Sequence, residues 1–279
     1  MKIAIYGMGY LGWAYSAWLS QNHLITAIDT TLTYKPDKLE PSLKEVLDKS
    51  CSITYTTSLD QVSGSDLVFV TFDTPIDDKG NADIHFIKNR IADIIPFVPS
   101  YTLIVVASQI PVGTIASLEK LYPYNRFAYI PENVRVGKAM EYLNNIDRIV
   151  LGSRNQKDSV IISKLVPETV PIIWMSPESA EMTKHTINSF LAINIAFINE
   201  IASVCKLVGA SPDDVAKGIR SEWRIGKNLP LLPGKPFNSG HLERDLVYLS
   251  EIADKANVDL GLIKSVMPSN NLEKKKQGV

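Results

Sequence analysis

Cysteine is almost missing from this chain: Cys51 and Cys205 are its only two. Thiols so few and so far apart in sequence build neither a disulfide framework nor a zinc site, which excludes the small, disulfide-stapled secreted class and fits a reducing compartment. A dominant charge is missing as well. The 29 basic and 30 acidic residues leave a formal charge of −1, so no overall field draws the chain to nucleic acid or to an anionic membrane, and binding has to be local. No apolar run approaches the ~18 residues of a membrane span, and the amino terminus enters a strand directly, without a signal segment. There is no internal repeat and no low-complexity linker. These absences predict a soluble, cytoplasmic protein with no nucleic-acid or membrane partner. What remains is ordinary globular material: 279 residues, 45% hydrophobic, enough for a sizeable core in about two domains.

The longest periodic stretch, SAEMTKHTINSFLAINIAFINEIASVCKL from Ser179 to Leu207, predicts one helix of about eight turns. Its apolar positions, Met182, Ile187, Phe190, Leu191, Ile195, Phe197, Ile198, Ile201 and Val204, run nearly all the way round, which predicts that most of its surface is buried. Lys184 and Asn188 are four apart and share a face near the helix start, where a buried pair of donors would meet a substrate. Taken alone, Lys184 also reads as a lysine reaching to solvent.

At the amino terminus the strand-like run KIAIY leads straight into GMGYLG, with glycines at Gly7, Gly9 and Gly12, and the next strand, ITAID, ends at Asp29. The first glycine permits a tight turn, the second lets backbone approach a pyrophosphate, and the third lets a helix pack closely on the sheet. The helix amino terminus, opening at Tyr10 and Leu11, then faces the phosphates. An acid roughly 20 residues beyond the loop completes the dinucleotide fingerprint. Asp29 is suited to accept hydrogen bonds from a ribose hydroxyl and to repel a 2′-phosphate, and no arginine adjoins it. NAD is favoured over NADP.

Further apolar runs follow at DLVFVT (66–71), TLIVVA (102–107), FAYI (127–130), RIVLG (148–152) and VPIIW (170–174), separated by helical or loop segments. That alternation predicts an α/β fold with a doubly wound, mostly parallel sheet, its ligand crevice lined by loops at the strands' carboxyl ends. Those loops include FDTP (Phe72 to Pro75), SQIPVGT (Ser108 to Thr114) and PENVRVG (Pro131 to Gly137), each of which is also a proline-fixed turn. Beyond the long helix, GASPDDVAKGI predicts a turn and a short helix capped by Ser211. Residues from Ile225 to Asp245 are rich in glycine and proline and predict irregular backbone; helix resumes from Leu246, and NNLEKKKQGV reads as a solvated polar tail. His23, His85 and His185 show no spaced acidic or cysteine partners and read as structural or exposed.

In this order the motifs resemble the UDP-glucose/GDP-mannose dehydrogenase family over nearly the whole chain. KIAIYGMGYLG looks like its opening glycine loop, FDTP with Thr74 like its threonine-proline cofactor loop, and SQIPVGT with Ser108 like its serine-threonine-x-proline-valine-glycine segment. PENVRVGKAMEYLNNIDRIVLG is similar to the block carrying the family's glutamate, and SAEMTKHTINSFLAINIAFINEI to its central helix. The resemblance implies a Rossmann NAD-binding domain over residues 1–175 and an all-helical dimerisation domain over 176–279, a homodimer through the central helix, and oxidation of a sugar-nucleotide alcohol. It places Lys184 and Asn188 on the residues that orient the substrate oxygen, Glu132 on an acid-base glutamate that also lies beside the cofactor, Asp245 on an aspartate that positions a water or base, and Arg224 on an arginine reaching a neighbouring subunit's substrate.

Four positions depart from the family pattern. PFNSGHLERD stands where the family has glycine-phenylalanine-glycine-glycine-serine-cysteine and lysine-aspartate, so His241 occupies the position of the nucleophilic cysteine and Arg244 that of the lysine. Gln109 replaces a threonine that holds a water, and Val136 replaces a second glutamate. Longer members continue into a third, nucleotide-binding domain, so the expectation here is a short form. A histidine offers no thiolate for trapping an aldehyde, which predicts a single two-electron oxidation of a sugar, sugar-nucleotide or other small-molecule hydroxyl with NAD, His241 serving as acid or base. Two other readings stay open: a β-hydroxyacid-type dehydrogenase acting on a small carboxylate, whose lysine and asparagine are similarly spaced, and a non-catalytic NAD-binding partner protein.

Overall fold

The computed structural model describes residues 1–31, 39–75, 82–131, 133–238 and 240–278. They fall into two compact units, the first closing at Met182 and the second opening at Thr183.

The first unit alternates strands and helices in chain order: β1 (Lys2–Tyr6), α1 (Tyr10–Ser20), β2 (Leu24–Ile28), α2 (Pro41–Lys49), β3 (Ile53–Thr56), β4 (Leu67–Val70), α3 (Ile84–Ile94), β5 (Leu103–Val106), α4 (Thr114–Leu121), β6 (Arg126–Tyr129), α5 (Ala139–Asn144), β7 (Ile149–Ser153), α6 (Asp158–Ile162) and β8 (Ile172–Met175). One sheet holds all eight strands in the order β3-β2-β1-β4-β5-β6-β7-β8. Every pairing is parallel except β6 with β7.

The apolar runs are strands because both of their faces are covered. Along β1, β4 and β5, Ile3, Ile5, Leu67, Phe69, Leu103 and Val105 enter one core. Their neighbours Ala4, Tyr6, Val68, Val70, Ile104 and Val106 enter another on the opposite face. Side chains alternate faces along a strand, so a strand clad on both sides must be apolar throughout. The chain leaves β1 toward β2 on one side and β4 lies on the other, which puts a topological switch point at the carboxyl end of β1, beside the glycine loop.

The sequence reading missed β3. Its ITYT has no continuous apolar character, and the strand lies at the sheet edge, half-covered.

The long helix, α7 (Pro177–Val208), begins in the first unit and supplies the axis of the second, which adds α8 (Pro212–Ser221), α9 (Gly240–Lys255) and α10 (Gly261–Gln277). Ser211 caps α8 as expected, its side chain accepting from Asp214 N. Three expectations are corrected here. The face of α7 packed inside the unit carries small residues, Ala192, Ala196 and Ala202 with Ile198, whereas Phe190, Phe197 and Val204 are 52%, 48% and 54% exposed. Three of the nine large apolar positions expected to be covered are therefore about half uncovered in the single chain. Helix α9 starts at Gly240 instead of Leu246. Most of the polar tail in fact lies in α10, because its polar groups find partners in protein: fully buried Asn270 accepts from Phe237 N and donates to Phe237 O, both at 2.9 Å. Lys274 also reaches Glu243 at 2.9 Å.

By length and composition alone α7 would pass as a membrane span. Its Glu181, Lys184, His185 and Asn188 are buried within the chain.

Candidate functional site

The glycine loop has the geometry of a phosphate cradle. Gly7 sits at φ +106°, where a Cβ would lie 2.8 Å from Phe72. Gly12 is tighter: a Cβ there would come within 2.0 Å of the Gly7 carbonyl oxygen. A Cβ on Gly9 would meet the Asp73 carboxylate at 3.1 Å, so the loop has little room for side chains. The amino terminus of α1 has no side-chain cap and no acid in its first turn, which leaves its first N–H groups, from Tyr10 to Gly12, suited to an anion. At the end of β2, Asp29 accepts from Met8 N at 2.7 Å and from Thr31 N and Oγ1 at 3.1 Å. Each carboxylate oxygen carries two lone pairs; Oδ1 accepts twice and Oδ2 once, so one position on Oδ2 remains for a ribose hydroxyl. Ser108 Oγ, at the carboxyl end of β5, is buried with no hydrogen-bond partner among the described residues. These features fit a dinucleotide.

The loops around the cradle are tied down by buried carboxylates. Tyr10 Oη donates to Glu40 Oε2 at 2.6 Å and accepts from Gly137 N at 2.8 Å. Glu40 Oε1 in turn accepts from Ala139 N at 2.6 Å, at the start of α5. The phenol is pushed up to about 12, first by burial and then by the Glu40 hydrogen bond. The side chain of Tyr10 is thus committed to the loop that ends at Gly137, and its backbone N–H is the part offered to the cradle. Thr74 Oγ1 donates to Gln109 O at 2.5 Å, joining the FDTP and SQIPVGT loops. Helix α4 has only glycine at its cap, Gly113; its acceptors come from Glu181, which takes Gly113 N at 2.6 Å and Ile115 N at 2.9 Å.

In the second unit a buried polar cluster forms on α7 and α9. Asp245 is 0% exposed. Its Oδ1 is 2.8 Å from His185 Nδ1 and its Oδ2 accepts from Asn188 Nδ2 at 2.5 Å. Lys184, on the same face of α7 as Asn188, is buried too. The solvent reading of Lys184 fails because the start of α7 lies inside the protein.

Residues 1–169 match the NAD binding domain of the UDP-glucose/GDP-mannose dehydrogenase family, and residues 178–272 match its central domain. The chain belongs to this family. Among its relatives, UDP-glucose 6-dehydrogenase TuaD of Bacillus subtilis (strain 168) is 31% identical over 98% of this chain and 63% of its own length. The UDP-glucose 6-dehydrogenase YwqF of the same organism is 32% identical over 97% of this chain and 66% of its own. The chain therefore spans just under two thirds of the length of these two relatives. A solved UDP-glucose dehydrogenase from Pyrobaculum islandicum superposes with a TM-score of 0.87 at 22% identity, covering 99% of this chain and 71% of that one; at that identity the likeness is one of fold.

The family is the one that the sequence motifs resemble, and its first domain is the one that binds NAD. Of the residues singled out from the sequence, Gly7, Gly9, Tyr10, Leu11, Gly12, Asp29, Thr74 and Ser108 lie in the family's NAD-binding domain, on or beside the loops just described. Lys184, Asn188 and Asp245 are brought together in the second unit. Glu132 lies outside the described residues. Arg224 is exposed and paired with Glu222 at 3.0 Å. His241 is exposed at the start of α9, where Arg244 donates to its Nδ1 at 3.1 Å. A guanidinium can only donate, so the proton of a neutral His241 ring sits on Nε2.

His185 has no acidic partner at any regular spacing in the sequence, yet it is 3% exposed and bonded to Asp245. The partner lies 60 residues on, beyond any spacing rule. The one local signal was its place three residues before Asn188, on the same side of the helix.

Proposed function

We propose that this chain carries out NAD-dependent oxidation of a hydroxyl on a sugar nucleotide or sugar-derived substrate, in the cytoplasm, in one two-electron step. The relatives are named for UDP-glucose, and a nucleotide sugar is accordingly the first substrate class to try. The observation that supports this reading best is the burial of Lys184, Asn188 and Asp245 together in a chain whose other unit is an NAD-binding domain.

NAD supplies the hydride acceptor. The hydroxyl oxygen gains negative charge as its proton leaves, and the Lys184 ammonium with the remaining amide N–H of Asn188 stabilises that charge. Asp245 and Glu132 are the carboxylates available for proton transfer. His241, with Nδ1 occupied by Arg244, acts as a donor through Nε2. No cysteine stands at its position, so the covalent trapping step has no nucleophile and the reaction stops after one hydride. Arg224, exposed, is the residue we assign to contact with substrate in a neighbouring subunit.

The test is NADH formation with a panel of nucleotide sugars, free sugars and small hydroxyacids. Lys184→Ala should lower kcat by about 10²- to 10³-fold, the usual cost of losing one group that stabilises an oxyanion, with NAD affinity unchanged. Turnover of hydroxyacids alone, or wild-type kcat in the variant, would overturn the assignment.

The same reading includes a homodimer through α7. Phe190, Phe197 and Val204 recur every seven residues and are about half exposed, with Ile193 and Ile201 beside them, a seam of the kind that two helices bury between them. Phe197→Glu should halve the mass seen in sedimentation; an unchanged mass would refute this interface.

A further inference from the structure

Asp245 does more than occupy a position in the cluster. A carboxylate only accepts hydrogen bonds, so its two oxygens settle two orientations at once. Asn188 has to turn its amide nitrogen toward Oδ2, and His185 has to carry its proton on Nδ1, facing Oδ1. His185 and Asn188 are three residues apart on α7, so one helix face offers both donors to one side chain of α9. Three residues along α9, Tyr248 stacks on the imidazole, with ring centroids 4.3 Å apart and planes at 37°. The imidazole is held between a carboxylate and a phenol ring, inside the protein.

We infer that His185 is a positioning residue: by hydrogen-bonding Asp245 it holds the carboxylate in the rotamer that grips Asn188, and so fixes which edge of the Asn188 amide is left for substrate. The inference rests on the dehydrogenase reading of this cluster. Without His185, Oδ1 of the fully buried carboxylate loses the imidazole's hydrogen bond and Asp245 its fixed rotamer, so the amide of Asn188 is no longer held to one orientation. Asparagine at position 185 restores an N–H near the place of Nδ1; glutamine puts its N–H near the place of Nε2 instead; leucine fills the volume with no donor at all.

The experiment uses the full chain as wild type, His185→Asn, His185→Gln and His185→Leu, with two readouts. The first is the side-chain amide signal of Asn188 in a 1H–15N NMR spectrum, assigned by its loss in Asn188→Ala. In the wild type, and in His185→Asn, the proton facing Asp245 should be displaced from the ordinary asparagine position. In His185→Gln and His185→Leu it should return toward that position. The second is steady-state NADH formation. Here kcat should fall by about 10- to 100-fold in the glutamine and leucine variants, as for misplacement of a reacting group, with KM for NAD unchanged. His185→Asn should recover most of the loss, and in an Asn188→Ala background the further loss should vanish.

An Asn188 signal that stays in place in a folded glutamine or leucine variant overturns the inference. So does an equal loss of kcat in the asparagine and glutamine variants. If the leucine variant does not fold, the asparagine and glutamine pair still decides. A wild type that turns over no hydroxyl substrate overturns the dehydrogenase reading instead, and the NMR comparison then decides whether His185 fixes the amide.

Discussion

Glu181→Gln isolates one oxygen of one buried carboxylate. Helix α4 opens on Gly113, which has no side chain to cap it, and its first N–H groups are satisfied from α7 by Glu181, with Gly113 N at 2.6 Å from Oε2 and Ile115 N at 2.9 Å from Oε1. Glutamine keeps the shape and volume, so no cavity is made. It turns one acceptor into an NH2 group, which leaves a backbone N–H facing another donor. An unsatisfied buried group costs about 1–3 kcal/mol, and loss of the negative charge at a helix amino terminus adds about 0.3–2 kcal/mol. The sum is about 1–5 kcal/mol. In a unit of this size each kcal/mol moves the melting temperature by about 2–4 °C, so Tm should drop by roughly 3–20 °C. Tryptophan fluorescence reads this well, because Trp13, Trp18 and Trp174 lie in the first unit while Trp223 is 88% exposed. A midpoint within ~0.5 kcal/mol of wild type, the range of an indifferent surface change, would refute the capping argument.

Gly12→Ala should abolish NAD binding in calorimetric titration, because its Cβ would lie 2.0 Å from the backbone oxygen of Gly7 and neither can yield without opening the loop; retained affinity would mean that the loop is softer than its geometry. Tyr10→Phe should cost about 1–2 kcal/mol near neutral pH for the lost hydrogen bonds and should also change the alkaline limb of the stability curve. The folded state raises the Tyr10 pKa to about 12, so the phenol's contribution is complete below the unfolded value near 10 and is lost as pH rises through about 12. Urea midpoints across that window should fall less steeply in the phenylalanine variant, and parallel curves would count against the Tyr10–Glu40 contact.

Which parts of the molecule were legible in the sequence follows from the range of the interactions. The parallel sheet announced itself because a strand covered on both faces must be apolar without interruption, as LVFV and LIVV are in β4 and β5. The cradle announced itself because a glycine requirement is local: Gly12 is forced by Gly7, five residues away. Strand β3 gave no such signal, since an edge strand with exposed Tyr55 needs no apolar run. Phe190, Phe197 and Val204 of α7 misled, because hydrophobicity says that a face wants cover and not whether the same chain provides it.

The polar contacts were illegible for one common reason. Glu181 with Ile115, Asp245 with His185, Glu40 with Ala139 and Asn270 with Phe237 are separated by 66, 60, 99 and 33 residues. In each case a buried acceptor or amide is matched to donors that no periodicity relates to it, and the pairing exists only once the sheet and helices have fixed their distances. Burial makes such pairs obligatory, since an orphaned polar group costs as much as several good contacts return. The residue types at a site can therefore be read from a sequence, while their orientation cannot. The orientation decides the chemistry: the same Asn188 is a donor or an acceptor toward a substrate according to how Asp245 turns it.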